Sequence, residues 1–261
     1  MTRQLAGKRV LVTGAARGMG RAIALAFGEA GADLILFGRS AESLSSTLSA
    51  LERAGTGAQA IACDLRRPEA IMAAVAAAGT PDVLINNAGI AGAEMAFLDL
   101  TETEWHDVLA VNLHAPFILG QAVARAMVKA GRSGVILHNA SIAASAVDGA
   151  YAAYCVSKAG LLALMRSMAV ELAPHRIRVN AVSPGYTQTE MTTSLFTDDQ
   201  QEFLTRGFTR APIRRVVTAE EVAQAFVFLA SDAASGITGT NLVVDGGLTA
   251  NLYVMETLPR T

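Results

Sequence analysis

The sequence predicts an α/β fold of the doubly wound Rossmann type, with a seven-stranded parallel sheet flanked by helices. Three observations carry that expectation. Short Val/Ile/Leu-rich runs alternate with longer helical stretches through nearly the whole chain. Most of these runs are continuously apolar rather than alternating, as strands covered on both faces must be. The first run ends in a glycine-rich turn that opens a helix, "TGAARGMG" at 13–20.

In chain order, the predicted strands are "RVLVTG" (9–14), "DLILFG" (33–38), "AQAIACD" (58–64), "DVLINN" (82–87), "GVILHNA" (134–140), "IRVNAV" (177–182) and "NLVVDG" (241–246). The first is followed by the helical "GRAIALAFGEAG", and the segments around 102–130 and 151–173 are long enough for helices of five turns or more. In the last of these, Leu161, Met165, Met168 and Leu172 recur at spacings of three and four, which makes one buried stripe. The polar stretch 187–217, which holds "FTDDQQEF", breaks the rhythm. An excursion that long shapes a binding site or is mobile. No linker, repeat or low-complexity block divides residues 1–261, so they read as a single domain.

A chain of 261 residues with 52% apolar side chains can bury a large core. Its net charge of −2 offers no electrostatic footprint for nucleic acid. Cys63 and Cys155 make no disulfide framework and suit a reduced interior, Cys155 as a small packing residue. The N-terminus enters a strand pattern with no signal-peptide core, and apolar runs stop well short of the roughly 18 residues that span a bilayer. The expectation is a soluble cytoplasmic protein with no membrane partner.

The glycine turn has a clear physical use. Gly14, Gly18 and Gly20 allow a tight turn and a close approach of backbone to ligand, while the helix beginning at Gly18 and Met19 turns free N–H groups and its positive dipole end toward a pyrophosphate. The spacing is Gly-x-x-x-Gly-x-Gly rather than the commoner Gly-x-Gly-x-x-Gly. Its place in the first strand–helix turn strengthens it as a dinucleotide site. No metal-ligand cluster is read alongside it.

Further pieces follow in order: "CDL" with Asp64 and Leu65, "NNAG" (86–89), "VNLHAPF" with Asn112, "NASIAA" with Ser141, "YCVSK" with Tyr154 and Lys158, and "SPGYTQT" (183–189). Together with the glycine loop these resemble the short-chain dehydrogenase/reductase family, from about Lys8 to Gly247. The resemblance implies that Ser141, Tyr154 and Lys158 are catalytic and that Asn112 is the fourth member, holding a water that links the lysine to solvent. It assigns Gly14, Arg17, Gly18, Met19 and Gly20 to the cofactor loop, and Asp64 with Leu65 to the adenine. Asn87, Ala88 and Gly89 support the ribose pocket, and Pro184, Gly185, Thr187 and Thr189 frame the nicotinamide. Tyr154 and Lys158 also touch cofactor in that scheme. His138 and His114 have no carboxylate or nucleophile placed to orient them and read as structural.

The implied chemistry moves a hydride between a nicotinamide and a carbinol carbon, and a partner must move the hydroxyl proton. A tyrosine does so if its pKa falls from about 10 toward neutrality, a preference of roughly 3–4 kcal/mol for phenolate. One ammonium about 4 Å away supplies about 1 kcal/mol in bulk water but about 4 at an effective dielectric near 20. The expectation is therefore a largely dry site with Lys158 on the Tyr154 face of one helix. Ser141 would donate to the substrate oxygen and orient it.

NAD sites usually end the second strand in an acidic residue that takes the ribose hydroxyls. Here Gly38 occupies that place, Arg39 follows, and no carboxylate occurs before Glu42. With Arg17 projecting from the glycine loop, the expected cofactor is NADP, with NAD as the alternative, and glycine is expected to leave space for the 2′-phosphate. Ala143, Val147, Tyr151, Tyr186, Met191, Leu195 and Phe196, a mostly apolar set with tyrosine hydroxyls, are expected to line the pocket for a small-molecule alcohol or ketone, which suits an apolar cyclic or aromatic substrate. The ending "DGGLTANLYV" resembles sugar- and polyol-oxidising members. Excess apolar surface on the two long helices predicts a homo-tetramer or homodimer. The rival reading is a catalytically silent cofactor-sensing or scaffold protein. Such a protein would be expected to lose the tyrosine or lysine, and this chain keeps both.

Overall fold

The computed structural model describes residues 4–147, 149–188, 197, 199 and 202–251. Seven parallel strands form one sheet in the order β3-β2-β1-β4-β5-β6-β9. They are β1 (Arg9–Thr13), β2 (Asp33–Gly38), β3 (Ala58–Ala62), β4 (Val83–Asn86), β5 (Gly134–Asn139), β6 (Ile177–Pro184) and β9 (Asn241–Val244). Two two-residue strands, β7 (Thr187–Gln188) and β8 (Val217–Thr218), pair separately. The helices are α1 (Gly18–Glu29), α2 (Ala41–Arg53), α3 (Pro68–Ala78), α4 (Glu102–Leu109), α5 (Ala115–Lys129), α6 (Ala152–Leu172) and α7 (Ala219–Ala230). The expected sheet is present, with each strand within two residues of its expected bounds.

Alternate residues of each strand face opposite helical layers. Val10, Val12, Leu34, Leu36, Ile85 and Leu137 pack against α1, α2 and α7, where Phe27, Leu44 and Phe226 are fully buried. Leu11, Ile35, Leu84, Ile136 and Val179 face α3, α5 and α6 through Ile71, Leu119, Val123 and Met165. Leu161 and Met165 of the predicted stripe lie in the core, and Met168 and Leu172 pack partly buried at its edge. The region between α4 and α5 is one π-helical turn, Ala110–His114, so the expected long helix runs through with a bulge in it.

By length and composition alone, Glu102–Lys129 and Ala152–His175 could cross a bilayer. The sheet accounts for much of their apolarity, since 44% of each apolar window is buried against the rest of the fold.

Strand order reverses between β1 and β4, with β2 and β3 added outward on one side and β5, β6 and β9 on the other. A crevice at such a switch point, beyond the carboxyl ends of the strands, is where open α/β sheets bind ligands. Thr13, Asn86, Asn139 and Pro184 end the strands that meet there.

Candidate active site

The glycine turn that closes β1 is sterically committed. Gly14 has φ +66° and Gly18 φ +54°, the left-handed region that disfavours side chains. A Cβ on Gly14 would lie 2.9 Å from Cα of Ala88, and one on Gly20 would lie 2.1 Å from the Gly14 carbonyl oxygen. Arg17 caps α1 through its backbone only, and the first turn carries no acidic residue. The leading N–H groups therefore remain available to anionic oxygens. These features fit a pyrophosphate, and Gly14, Gly18, Met19 and Gly20 are the residues that would hold it.

Thr13, not singled out from the sequence, ties this loop to the next strand end. Its Oγ1 donates to the Ile85 carbonyl at 3.3 Å and accepts from the backbone N–H groups of Asn87 and Ala88, each at 3.0 Å. Asn87 Nδ2 donates to the Thr13 carbonyl at 2.8 Å, and Asn87 Oδ1 accepts from Asn139 Nδ2 at 2.9 Å. Asn139 was also missed, because an asparagine at a strand end has many local uses.

Ser141 follows β5 and caps the short turn Ile142–Ala144, its Oγ accepting from Ala143 N–H at 3.1 Å. It also hydrogen-bonds the Tyr154 side chain in the first turn of α6. Lys158 stands one turn further on, fully enclosed, with Nζ 5.5 Å from the centre of the Tyr154 ring. Its ammonium donates to the Asn139 carbonyl at 2.7 Å, which holds the side chain across the strand end.

Asn112 sits inside the π-helical turn, the kind of local bulge that re-aims a side chain at a functional site. Its Oδ1 accepts from Ile90 N–H at 2.9 Å, and its Nδ2 donates to the Ile90 carbonyl at 2.8 Å and Ser157 Oγ at 3.1 Å. Ser157 Oγ in turn donates to the Tyr154 carbonyl at 2.7 Å. Asn112 thus clasps the segment after "NNAG" to the helix that carries the tyrosine. A Cβ on Gly89 would meet Asn112 Oδ1 at 3.2 Å and Lys158 Nζ at 3.6 Å, so this turn passes directly over both.

The electrostatics differ from the expectation in one respect. Burial holds the Tyr154 phenol above its ordinary value, opposed by the Ser141 hydrogen bond, rather than letting it fall toward neutrality. Burial also pushes Lys158 down to about 8. Beneath them lies His138, wholly buried and held to about 3 by desolvation and by the Lys158 charge. Its Nδ1 is 3.3 Å from Asn86 Nδ2, a structural pairing as expected. Cys63 and Cys155 are both buried and neither is in a disulfide.

The adenosine side is more open. Asp64 accepts from the Arg66 backbone N–H and guanidinium at 3.1–3.2 Å, which holds its carboxyl below its ordinary value. Leu65 packs partly buried beside it. Arg17 and Arg39 are both exposed. Gly38 requires a correction. A Cβ there would lie 2.8 Å from Leu44 Cγ, so α2 occupies the space expected for a phosphate. Helix packing accounts for this glycine, and any phosphate recognition falls to the arginines.

Pro184 is buried at the end of β6, and a Cβ on Gly185 would meet Asp245 at 2.7 Å. Thr187 Oγ1 donates to the Gly185 carbonyl at 2.9 Å. Thr189, Met191, Leu195 and Phe196 lie outside the described residues. Ala143, Val147 and Tyr151 stand on the segment between Ser141 and Tyr154, and Tyr186 makes an edge contact with Phe208 at 5.7 Å.

A family model described as "Enoyl-(Acyl carrier protein) reductase" matches residues 14–249. Gluconate 5-dehydrogenase of Gluconobacter oxydans is 38% identical over 95% of this chain and 97% of its own. L-xylulose reductase of Bos taurus is 37% identical over 96% of this chain and 100% of its own. A crystal structure from Beutenbergia cavernae, with NADP bound at low occupancy, superposes with a TM-score of 0.88 at 37% identity, covering 96% of this chain and all of that one.

Proposed function

The chain belongs to the short-chain dehydrogenase/reductase family, and from that premise we propose that it interconverts a ketone and the matching secondary alcohol of a sugar or polyol, using NADP in preference to NAD. It is an NAD(P)-dependent oxidoreductase acting on CH–OH and keto groups. The observation that carries the residue assignment is the hydrogen-bonded Ser141–Tyr154 pair, with Lys158 one turn along α6 and the glycine loop beside it.

The nicotinamide supplies or accepts the hydride. In the reducing direction Tyr154 gives its phenolic proton to the carbonyl oxygen while Ser141 donates a hydrogen bond to the same atom. The raised pKa of Tyr154 keeps the phenol protonated, so the proton this direction needs is in place. In the oxidising direction the phenol must first lose its proton, which the Lys158 charge favours. Lys158 would hold the cofactor's ribose and return a proton to the phenol, and Asn112 keeps the tyrosine helix and the "NNAG" turn in register. A silent sensing or scaffold role would leave no need for this complete set.

NADP preference rests on Arg39 and Arg17, both exposed, and on the lack of any carboxylate between the end of β2 and Glu42 that would repel a ribose phosphate. Exposed apolar side chains on the long helices, Phe117 at 48%, Val156 at 47% and Val170 at 76%, support a homo-tetramer or homodimer. Light scattering showing a 27.1 kDa particle at micromolar concentration would overturn that assembly. Buried reduced thiols suit the cytoplasm.

The test is an activity screen across polyols, aldoses and cyclic or aromatic ketones with both cofactors. Substrate-dependent change at the nicotinamide absorbance band, stronger for sugars and with NADP(H), is expected. Cofactor binding without turnover of any of them would favour the sensing role.

A further inference from the structure

Two chain segments far apart in sequence, each adjoining residues of the site, are pinned together. One is the run after "NNAG", which leaves the Asn112 clasp at Ile90 and continues through Glu94 and Met95. The other precedes Tyr154. Met95 N–H donates to the Ala150 carbonyl at 2.9 Å, and Tyr151 Oη donates to Glu94 Oε2 at 3.3 Å. Ala150 adopts φ +65°, the left-handed region an alanine rarely enters, and the backbone turns there into the helix that carries the tyrosine. Tyr151 is the N-cap residue of α6, three residues before Tyr154. The neighbouring carboxylate, Glu104, is turned to the backbone and accepts from Ala93 N–H.

From this geometry we infer that Glu94 and Tyr151 form an anionic, hydroxyl-binding rim that selects uncharged polyhydroxylated substrates over those bearing a carboxylate. The inference rests on the reading of the enzyme as a sugar or polyol oxidoreductase. A carboxylate accepts hydrogen bonds from substrate hydroxyls, and a phenol can both donate and accept. A second carboxylate brought to the same rim meets like charge. Two such charges about 8 Å apart disfavour binding by a factor between about two and thirty as the effective dielectric falls from 80 to 20. Because Glu94 is exposed, salt should weaken the effect.

The experiment compares kcat/KM for L-xylulose, a neutral ketose, with that for 5-keto-D-gluconate, a keto acid, using the whole enzyme and NADPH at low and high salt. The expected parent ratio favours the neutral sugar by about fivefold or more and shrinks with salt. Glu94→Gln should bring the ratio toward unity at low salt, with Tyr151→Phe between the two. NADPH affinity, followed by fluorescence, should hold in both variants and reports that they are folded. A parent that prefers the keto acid, or a ratio unmoved by Glu94→Gln, overturns the rim while leaving the sugar reading intact. A parent that binds NADPH but turns over neither sugar overturns the sugar reading and the rim with it.

Discussion

The two ends of the crevice are built differently. At the catalytic end, Tyr154, Lys158, Asn112, Asn139 and Asn87 are tied to one another, or to strand ends, by hydrogen bonds between 2.7 and 3.1 Å. At the adenosine end, Arg17 and Arg39 stand in solvent, and Asp64 is held by the arginine two residues away rather than by the fold. The difference teaches where each property resides. Groups that must keep one geometry through a proton transfer are fixed by buried partners. Groups that choose between two nearly identical cofactors need only a local charge, and they can be changed without disturbing the core.

Changes at the buried end should therefore be severe. Lys158→Met should lower kcat/KM by roughly 10²–10³, since it removes both a ribose contact and the charge that favours phenolate. Thermal stability should hold or rise, because burying an ammonium is costly. A melting curve beside the kinetics separates this outcome from simple unfolding. Asn112→Ala leaves the Ile90 backbone groups and Ser157 without their partner and should cost about 1–3 kcal/mol in urea unfolding.

Much of this contrast could be read in the sequence, for physical reasons. Continuous apolar strands announce a two-sided sheet, and Gly14 and Gly20 stand where a Cβ would clash while Gly18 takes the left-handed region, so both were visible in residue order alone. Ser141, Tyr154 and Lys158 were placed by spacing and family resemblance. The clasp made by Asn112 was not visible, because it depends on a π-helical turn that no periodicity reveals. Nor could spacing show that Lys158 would bond the Asn139 carbonyl, a contact across 19 residues, or that burial would hold the phenol above its ordinary pKa. Gly38 misled for a related reason, since the side chain that fills its open side, Leu44, belongs to the following helix.

His138 sharpens the same comparison through pH. Its folded value is about 3 against an ordinary value of 6.5, so the unfolded chain takes up the proton first. The stability that depends on neutral His138 is therefore fully present above about pH 6.5 and is lost as pH falls toward 3, by up to about 1.4 kcal/mol per unit. Denaturation curves between pH 5 and 7 should show that slope, and His138→Asn should flatten it. At the open end the smallest effect is expected. Arg39→Ala should lower the NADP/NAD ratio of kcat/KM by about tenfold, through loss of one charge-assisted contact. An unchanged ratio would remove Arg39 as the source of the preference.

The buried end is claimed to carry the chemistry, and Tyr154→Phe tests that claim most directly because it removes one proton donor and keeps the ring. Turnover of an accepted ketone should be measured together with NADPH affinity and melting temperature. The account predicts a fall in kcat of about 10²–10⁴, with cofactor affinity and melting nearly unchanged. A variant that kept more than about a tenth of the parent's turnover would contradict it.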